Sequence, residues 1–188
     1  MNKIIIIVST TLFVIFIGIA IFLNLSQSSN QVSSSVSSSS GDNDFTTVDA
    51  CDVLTRKIVA EAYGGAISGT TPVESTSSTN NIFVTTCSLT SYSGKGSKKV
   101  TNGTATLLAY IARNEQGASD NKQSFRSNRP AEAIDVEGIG NQAYYIPSFN
   151  QFYILNGNNW YILSNYNTSV LDGTLDDVKS LAQKLNFK

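Results

Sequence analysis

The chain contains no histidine, the side chain that most often transfers protons in enzyme sites. Serine and cysteine nucleophiles activated by histidine are therefore excluded, as are zinc sites with histidine ligands. Ser119-Asp120-Asn121-Lys122 matches the S-x-x-K pattern of penicillin-binding enzymes. Those enzymes carry S-D-N as a separate motif and also need K-T-G, and neither condition holds here. We attribute the match to chance.

Two groups of charged residues remain as chemical candidates. Asp135 and Glu137 are two positions apart in a predicted strand, so they would share a face and could bind a cation or act as acid and base. A solvated strand face is the commoner explanation. Lys95, Lys98 and Lys99 lack P-loop spacing, and a solubilising hairpin tip is favoured over an anion site. We predict no catalytic residue, no metal site and no cofactor, and we expect that the protein is not an enzyme.

Aromatic residues are concentrated between positions 144 and 166. Core packing explains about half of them, because alternate residues of a strand face inward. Tyrosine and tryptophan offer large contact areas at little cost in side-chain entropy, which suits a binding surface. We predict that the outer face of this region binds a ligand or protein partner through Tyr144, Tyr153, Trp160, Tyr161 and Tyr166.

The elements that position these residues follow from periodicity and turn signals. Phe152–Leu155 and Trp160–Leu163 flank an Asn156-Gly157 turn, which predicts a hairpin. Before the hairpin, the predicted elements are a helix over 49–63 in two pieces, a Ser/Thr-rich loop over 66–80, strands over 82–92 and 104–112, a weak helix over 114–128 and a strand over 134–146. A helix over 175–186 follows the hairpin. Thr55 caps the second piece of the first helix, Phe125 anchors the weak helix, and Gly138-Ile139-Gly140 interrupts the strand over 134–146. This order predicts an α+β fold in which helices pack on one face of an antiparallel sheet.

Ile4–Leu23 contains no charged residue, and a helix of this length spans about 30 Å, the thickness of a bilayer's hydrocarbon core. Lys3 precedes it and no basic residue follows before Arg56, which predicts a cytoplasmic N-terminus and a single-pass membrane protein with its C-terminal domain extracellular. The alternative is a cleaved signal peptide. The segment exceeds the usual apolar length and lacks a clear A-x-A site, so an uncleaved anchor over 1–23 is favoured. No cysteine follows it that could carry a lipid.

Residues 24–44 are serine-rich and too polar to form a core, which predicts a flexible linker with a typical span of about 25 Å. A glycosylated stalk is the alternative. Residues 45–188 are long enough for one domain, and their basic and acidic residues balance. This balance argues against nucleic acid or an anionic membrane as the main partner. Cys51 and Cys87 both lie in the exported part and predict one disulfide, since a redox pair is more often CxxC and zinc needs further ligands.

Several short motifs resemble a known family. They are Asp49-Ala50-Cys51-Asp52-Val53-Leu54-Thr55, a helix ending at Gly64, Cys87, the segment from Val136 to Tyr144, and Leu181-Ala182 in the last helix. Together they resemble an uncharacterised actinobacterial cell-envelope lipoprotein domain, itself similar to the extracellular sensor domain of mycobacterial serine/threonine kinases. The resemblance implies a curved antiparallel sheet with a cleft, a disulfide and an extracytoplasmic role without established enzymatic activity.

The chain departs from this family at three points. Ile4–Leu23 stands in place of the usual lipid-attachment cysteine, and Cys87 is followed by Ser88-Leu89 where the family often has tryptophan two positions on. No kinase domain is present, so a kinase function is not carried over. We predict a membrane-anchored, sensor-like domain that binds an envelope ligand or protein. The alternatives are a structural or accessory subunit of an adhesion or secretion assembly and, less favoured, an envelope hydrolase.

Overall fold

The computed structural model describes residues 45–69, 73–167 and 175–187, with the side chains of Val73, Tyr166 and Asn167 left out of the description. The predicted anchor and the linker over 24–44 lie outside these residues. Within the described ranges, the structure contains no helix with the length and apolar character needed to cross a bilayer.

The strands of the described residues form one antiparallel sheet, which together with the helices confirms the α+β class. In chain order, the strands are β1 (Ala66–Gly69), β2 (Val73–Glu74), β3 (Ile82–Ser93), β4 (Val100–Ala112), β5 (Ile134–Val136), β6 (Gln142–Ile146), β7 (Gln151–Asn156) and β8 (Asn159–Asn167). Their order across the sheet is β1-β3-β4-β8-β7-β6-β5, and β2 also pairs with β3. Strand β8 therefore lies in the middle of the sheet, and β3 of the long β3–β4 hairpin pairs with both short edge strands β1 and β2.

The first three helices of the described residues begin and end within one residue of their predictions, whereas the last ends at Ala182 and not at residue 186 as predicted. They are α1 (Ala50–Val53), α2 (Arg56–Tyr63), α3 (Glu115–Ser127) and α4 (Leu175–Ala182). The Oγ1 of Thr55 accepts the N–H of Ile58 and caps α2, as predicted. The Oδ1 of Asn114 accepts the N–H of Gly117 at 2.9 Å and caps α3 in the same way.

One face of the sheet, called the first face, packs against α1, α2 and α4. Its strand residues include Cys87, Leu107 and Phe152, and their side chains form one continuous core with apolar residues of the three helices. The disulfide joins Cys51 of α1 to Cys87 of β3, with the Cα atoms 5.0 Å apart, which confirms the predicted pairing. Because the bond links a helix to a central strand, it fixes how the N-terminal helices lie on this face.

The opposite face, called the second face, has a separate core of Phe125, Tyr144, Ile146, Leu155 and Trp160. Phe125 belongs to α3, which contacts β4, β8 and β7. The prediction that helices pack on one face only is therefore wrong. The β7–β8 hairpin is apolar on both sides, and its side on the second face would be exposed to solvent unless α3 covered part of it.

The prediction of a loop over 66–80 is wrong in two places. Ala66–Gly69 pairs with Leu89–Tyr92, and Val73–Glu74 pairs with Thr85–Thr86. These edge strands have four and two residues, too few to show the alternation of apolar residues that marks a strand buried on one side. The predicted hairpin after β7 is confirmed, but its two-residue turn is Gly157-Asn158, one position later than predicted, because Asn156 pairs with Asn159 and Gly157 has a φ of 59°.

Candidate functional site

The aromatic residues of the second face form a continuous row across four strands, called here the aromatic row. Tyr110 stacks on Trp160, which lies directly opposite it on β8, with ring centroids 4.5 Å apart. Trp160 contacts Tyr153 at 6.0 Å, and Tyr153 stacks on Tyr144 at 5.0 Å. Phe125 of α3 closes the row at 4.8 Å from Tyr144. Cross-strand aromatic pairs of this kind contribute roughly 0.5–1.5 kcal/mol each beyond burial of their area.

The predicted aromatic site is divided by the sheet. Tyr144, Tyr153 and Trp160 share the second face, but Tyr161 belongs to the core of the first face, where its ring lies 5.1 Å from Phe187. Tyr144 is fully buried and Trp160 is nearly so, whereas Tyr153 is half-buried and keeps some solvent access. Tyr166 lies on β8 opposite Thr104, and its side chain is outside the description. The expectation of one exposed face carrying all five residues is therefore wrong, because neighbouring residues of a strand point to opposite faces.

The tyrosines of the row remain neutral phenols. Burial, and to a smaller extent the neighbouring Tyr153, raises the pKa of Tyr110 to about 12. Burial also raises the pKa values of Tyr144 and Tyr153 above their usual value near 10. These hydroxyls therefore keep their protons near neutral pH, and those of Tyr144 and Tyr153 act as hydrogen-bond donors. Phenolates, which a base or nucleophile would require, are disfavoured here.

Helix α3 covers the end of the second face that contains Tyr110 and Trp160. The side chain of Asn121 is fully buried, and its Nδ2 donates to the carbonyl oxygens of Tyr110 at 2.8 Å and Asn158 at 2.9 Å. The hydroxyl of Tyr144 donates to the carbonyl oxygen of Phe125 at 3.0 Å. These bonds attach α3 to β4, to the β7–β8 turn and to β6, so the helix is fixed over one part of the face.

Beyond the aromatic row, the second face carries a row of hydroxyl and amide groups, called the hydroxyl strip. It crosses the sheet through Ser88, Thr106, Ser164 and Gln151, which lie opposite one another in register. The hydroxyls of Ser88 and Thr106 are 3.0 Å apart, and the Nε2 of Gln151 donates to the Oγ of Ser164 at 3.0 Å. The hydroxyl of Tyr153 donates to the Oε1 of Gln151 at 3.3 Å, which joins the strip to the aromatic row.

A second pair extends this polar surface. The hydroxyls of Thr90 and Thr104 lie 3.0 Å apart, one residue pair further along β3 and β4 on the same face. Both residues, like Ser88, Thr106 and Gln151, are half-buried, whereas Ser164 at the centre of the strip is buried. The strip contains no charged residue, so it offers hydrogen bonds to a ligand without the cost of dehydrating a charge.

Sequence reasoning missed the hydroxyl strip. Its signal is present as hydroxyl residues at every second position, Thr86, Ser88 and Thr90 on β3 and Thr104 and Thr106 on β4. Such alternation also describes any solvated strand face. Only the register of β3, β4, β8 and β7 shows that hydroxyls on separate strands lie side by side.

The other charged candidates do not assemble a chemical site. The Nη1 of Arg129 donates to the Oδ1 of Asp135 at 2.5 Å, and this hydrogen bond lowers the pKa of the carboxyl. Strand β5 ends at Val136, so Glu137 lies in the following bend and is exposed. Among the residues that the structure describes, no group of three or more His, Cys, Asp or Glu side chains could hold a metal ion.

No protein-family model matches the chain, and neither the curated proteins nor the solved structures contain a match to it. The resemblance to the actinobacterial envelope domain therefore stays a prediction, and the site is interpreted from its own geometry.

Proposed function

We propose that the chain is a non-catalytic binding protein, held at the outside of a cell membrane by Ile4–Leu23, that binds an uncharged, hydroxyl-rich ligand on the second face of its sheet. A neutral glycan is the ligand class that fits this chemistry. The single observation that carries the proposal is the hydroxyl strip, joined through Gln151 to the half-buried Tyr153 of the aromatic row.

The chemistry of the strip supports a saccharide over other ligand classes. A hydroxyl is both donor and acceptor, as is each hydroxyl of a sugar, so Ser88 and Thr106 can exchange their mutual bond for bonds to a ligand. Neighbouring strands repeat at about 4.8 Å, close to the length of one pyranose unit. Tyr153 adds an apolar ring at the border of the strip, against which the carbon-bound hydrogens of a sugar ring can pack.

Two observations support an extracytoplasmic location. The uncharged segment Ile4–Leu23 has the length of a membrane-spanning helix. The Cys51–Cys87 bond is expected to persist in an oxidising compartment, whereas cytosolic thiols are kept reduced. A domain in this position meets the glycans of its own cell's envelope within the reach of its linker.

Calorimetric titration of the full chain in detergent micelles tests the proposal. The probes are neutral oligosaccharides of glucose, mannose and N-acetylglucosamine. We expect at least one series to bind, and we expect Thr106→Val to weaken it roughly fivefold, the equivalent of one net hydrogen bond. Tyr153→Phe removes only the hydroxyl and should have an effect of similar size.

Thr76→Val and Ser97→Ala are the matched controls, because both remove a hydroxyl from an exposed position outside the strip. They should leave the affinity unchanged. If no series binds, or if the strip variants and the controls weaken binding equally, the proposed ligand class is wrong.

A further inference from the structure

The hairpin that joins β3 to β4 ends in a cationic tip, defined here as residues 93–100. All eight residues are exposed, and they include Lys95, Lys98 and Lys99. No acidic residue occurs between Glu74 and Glu115. Residues 45–188 contain twelve basic and twelve acidic residues, and three of the basic ones lie at this tip, so the rest of the domain has a net charge of −3. The neutrality of the whole domain conceals this separation of charge.

The three lysines lie on one short turn of the backbone. A 3-10 turn over Gly96–Lys98 is closed by hydrogen bonds from the N–H of Lys98 to the carbonyl of Lys95 and from the N–H of Lys99 to that of Gly96. The Nζ of Lys99 lies 3.7 Å from the centre of the Tyr92 ring. None of these lysines forms an ion pair with a described acidic residue.

An apolar side chain accompanies the charge. Val100 is 54% exposed, one of three large apolar side chains with this property in the described part of the chain. Lysines around an exposed apolar residue are typical of segments that rest on an anionic membrane surface, where the amines meet phosphates and the apolar group enters the interface. A soluble polyanion would engage the lysines but would leave Val100 without a contact.

We propose that the cationic tip contacts the anionic phospholipid surface of the bilayer in which the chain is anchored, an inference that rests on the location proposed above. Each lysine near such a surface contributes roughly a fivefold preference, so three give a preference on the order of a hundredfold. A preference of this size gives only weak membrane binding to a domain that is free in solution. The contact is intramolecular when Ile4–Leu23 anchors the chain in the same bilayer, which raises the local concentration of membrane surface that the tip meets.

Hydrogen–deuterium exchange on the full chain, reconstituted into vesicles, tests this contact. One set of vesicles contains phosphatidylcholine alone, and the other also contains phosphatidylglycerol. We expect exchange over residues 93–100 to slow severalfold in the anionic vesicles only. The protection should vanish in 1 M salt, where the Debye length falls to about 3 Å.

Two variants separate charge from shape. Replacing Lys95, Lys98 and Lys99 together by Gln removes the charge from exposed positions and should abolish the protection. Gly94→Ala keeps the charge, but Gly94 has a φ of +78° and a Cβ there would overlap the carbonyl oxygen of Lys98, so the tip is reshaped. It should reduce the protection without abolishing it. Unchanged exchange over β4 in both variants shows that the fold is retained.

Equal exchange in the two lipid compositions would overturn the proposal, as would protection that survives the triple substitution. Protection by soluble polyphosphate but not by anionic vesicles would assign the tip to a soluble polyanion instead. Extraction of the chain from the vesicles by alkaline carbonate tests the anchor separately, because a chain without a membrane-spanning segment is released whatever its tip does.

Discussion

Asn121 gives the sharpest test of how α3 is held over the second face. Its side chain is fully buried, and its Nδ2 supplies the bonds to the carbonyl oxygens of Tyr110 and Asn158, while its own Oδ1 has no partner among the described residues. The hydrogen bonds donated by the amide Nδ2 therefore account for the polar contribution of this side chain to stability. Asn121→Ala removes the hydrogen bonds to both carbonyls, at about 1–3 kcal/mol each, and entry of water recovers part of the cost. We expect a loss of about 2–4 kcal/mol in the free energy of unfolding.

At neutral pH, Asn121→Asp should lower the free energy of unfolding by more than Asn121→Ala does, because it places a carboxylate against two carbonyl oxygens in a buried position. Burial raises the pKa of the introduced carboxyl in the folded state above its unfolded value near 3.9, so the folded state holds the proton more tightly. The loss in the free energy of unfolding relative to the parent protein is then smallest at pH values below the unfolded-state pKa. This loss grows as pH rises towards the folded-state pKa.

Urea denaturation of the full chain in detergent, followed by tryptophan fluorescence across pH 4–7, measures both effects. Trp160 is the only tryptophan in the sequence and lies in the aromatic row beside α3, so its signal reports the relevant region. Gln123→Ala, at an exposed position of the same helix, is the control and should stay within about 0.5 kcal/mol of the parent. A loss below 1 kcal/mol for Asn121→Ala, or a cost of Asn121→Asp that does not change with pH, would refute this reasoning.

Three further predictions concern stability. Replacing Cys51 and Cys87 together by Ala should lower the free energy of unfolding by about 4 kcal/mol in urea, because the bond closes a loop with a sequence separation of 36; a loss below 1 kcal/mol would contradict this. With the pKa of Tyr110 raised to about 12, the folded state retains a proton that the unfolded state loses above about pH 10. Stability should therefore fall as pH rises from 10 towards 12, and Tyr110→Phe should make that fall shallower by up to about 1.4 kcal/mol per pH unit; identical slopes would contradict the assignment. A Cβ at Gly117 would overlap the carbonyl oxygen of Asn81, so Gly117→Ala should lower the thermal midpoint by several degrees. Ser119→Ala, at an exposed position of the same helix, should leave the midpoint unchanged. Equal midpoints for the two variants would contradict the close contact between α3 and Asn81.

The local signals in the sequence predicted most of the fold. Thr55 and Gly64 mark the ends of α2, and Gly157 marks the turn of the last hairpin, because each acts through its own backbone geometry. The pairing of Cys51 with Cys87 followed from there being two cysteines in the chain. The edge strands β1 and β2 were missed, since they are held by pairing with β3 and carry no pattern of their own.

The candidate site depended on long-range register, which the sequence does not encode locally. Composition indicated an aromatic surface, but adjacent residues such as Trp160 and Tyr161 point to opposite faces and belong to different cores. The position of α3 could not be predicted either, because its one large apolar anchor, Phe125, does not specify a face. The hydroxyl strip became visible only once four strands were aligned.

The central claim is that the hydroxyl strip binds a neutral glycan, and methyl NMR of the full chain with labelled threonines tests it most directly. Thr85 is fully buried on the first face, so its methyl group provides an internal control. On addition of the oligosaccharide that binds in calorimetry, the methyl resonances of Thr90, Thr104 and Thr106 should shift and that of Thr85 should not. Shifts confined to threonines outside the second face would contradict the assignment of the site.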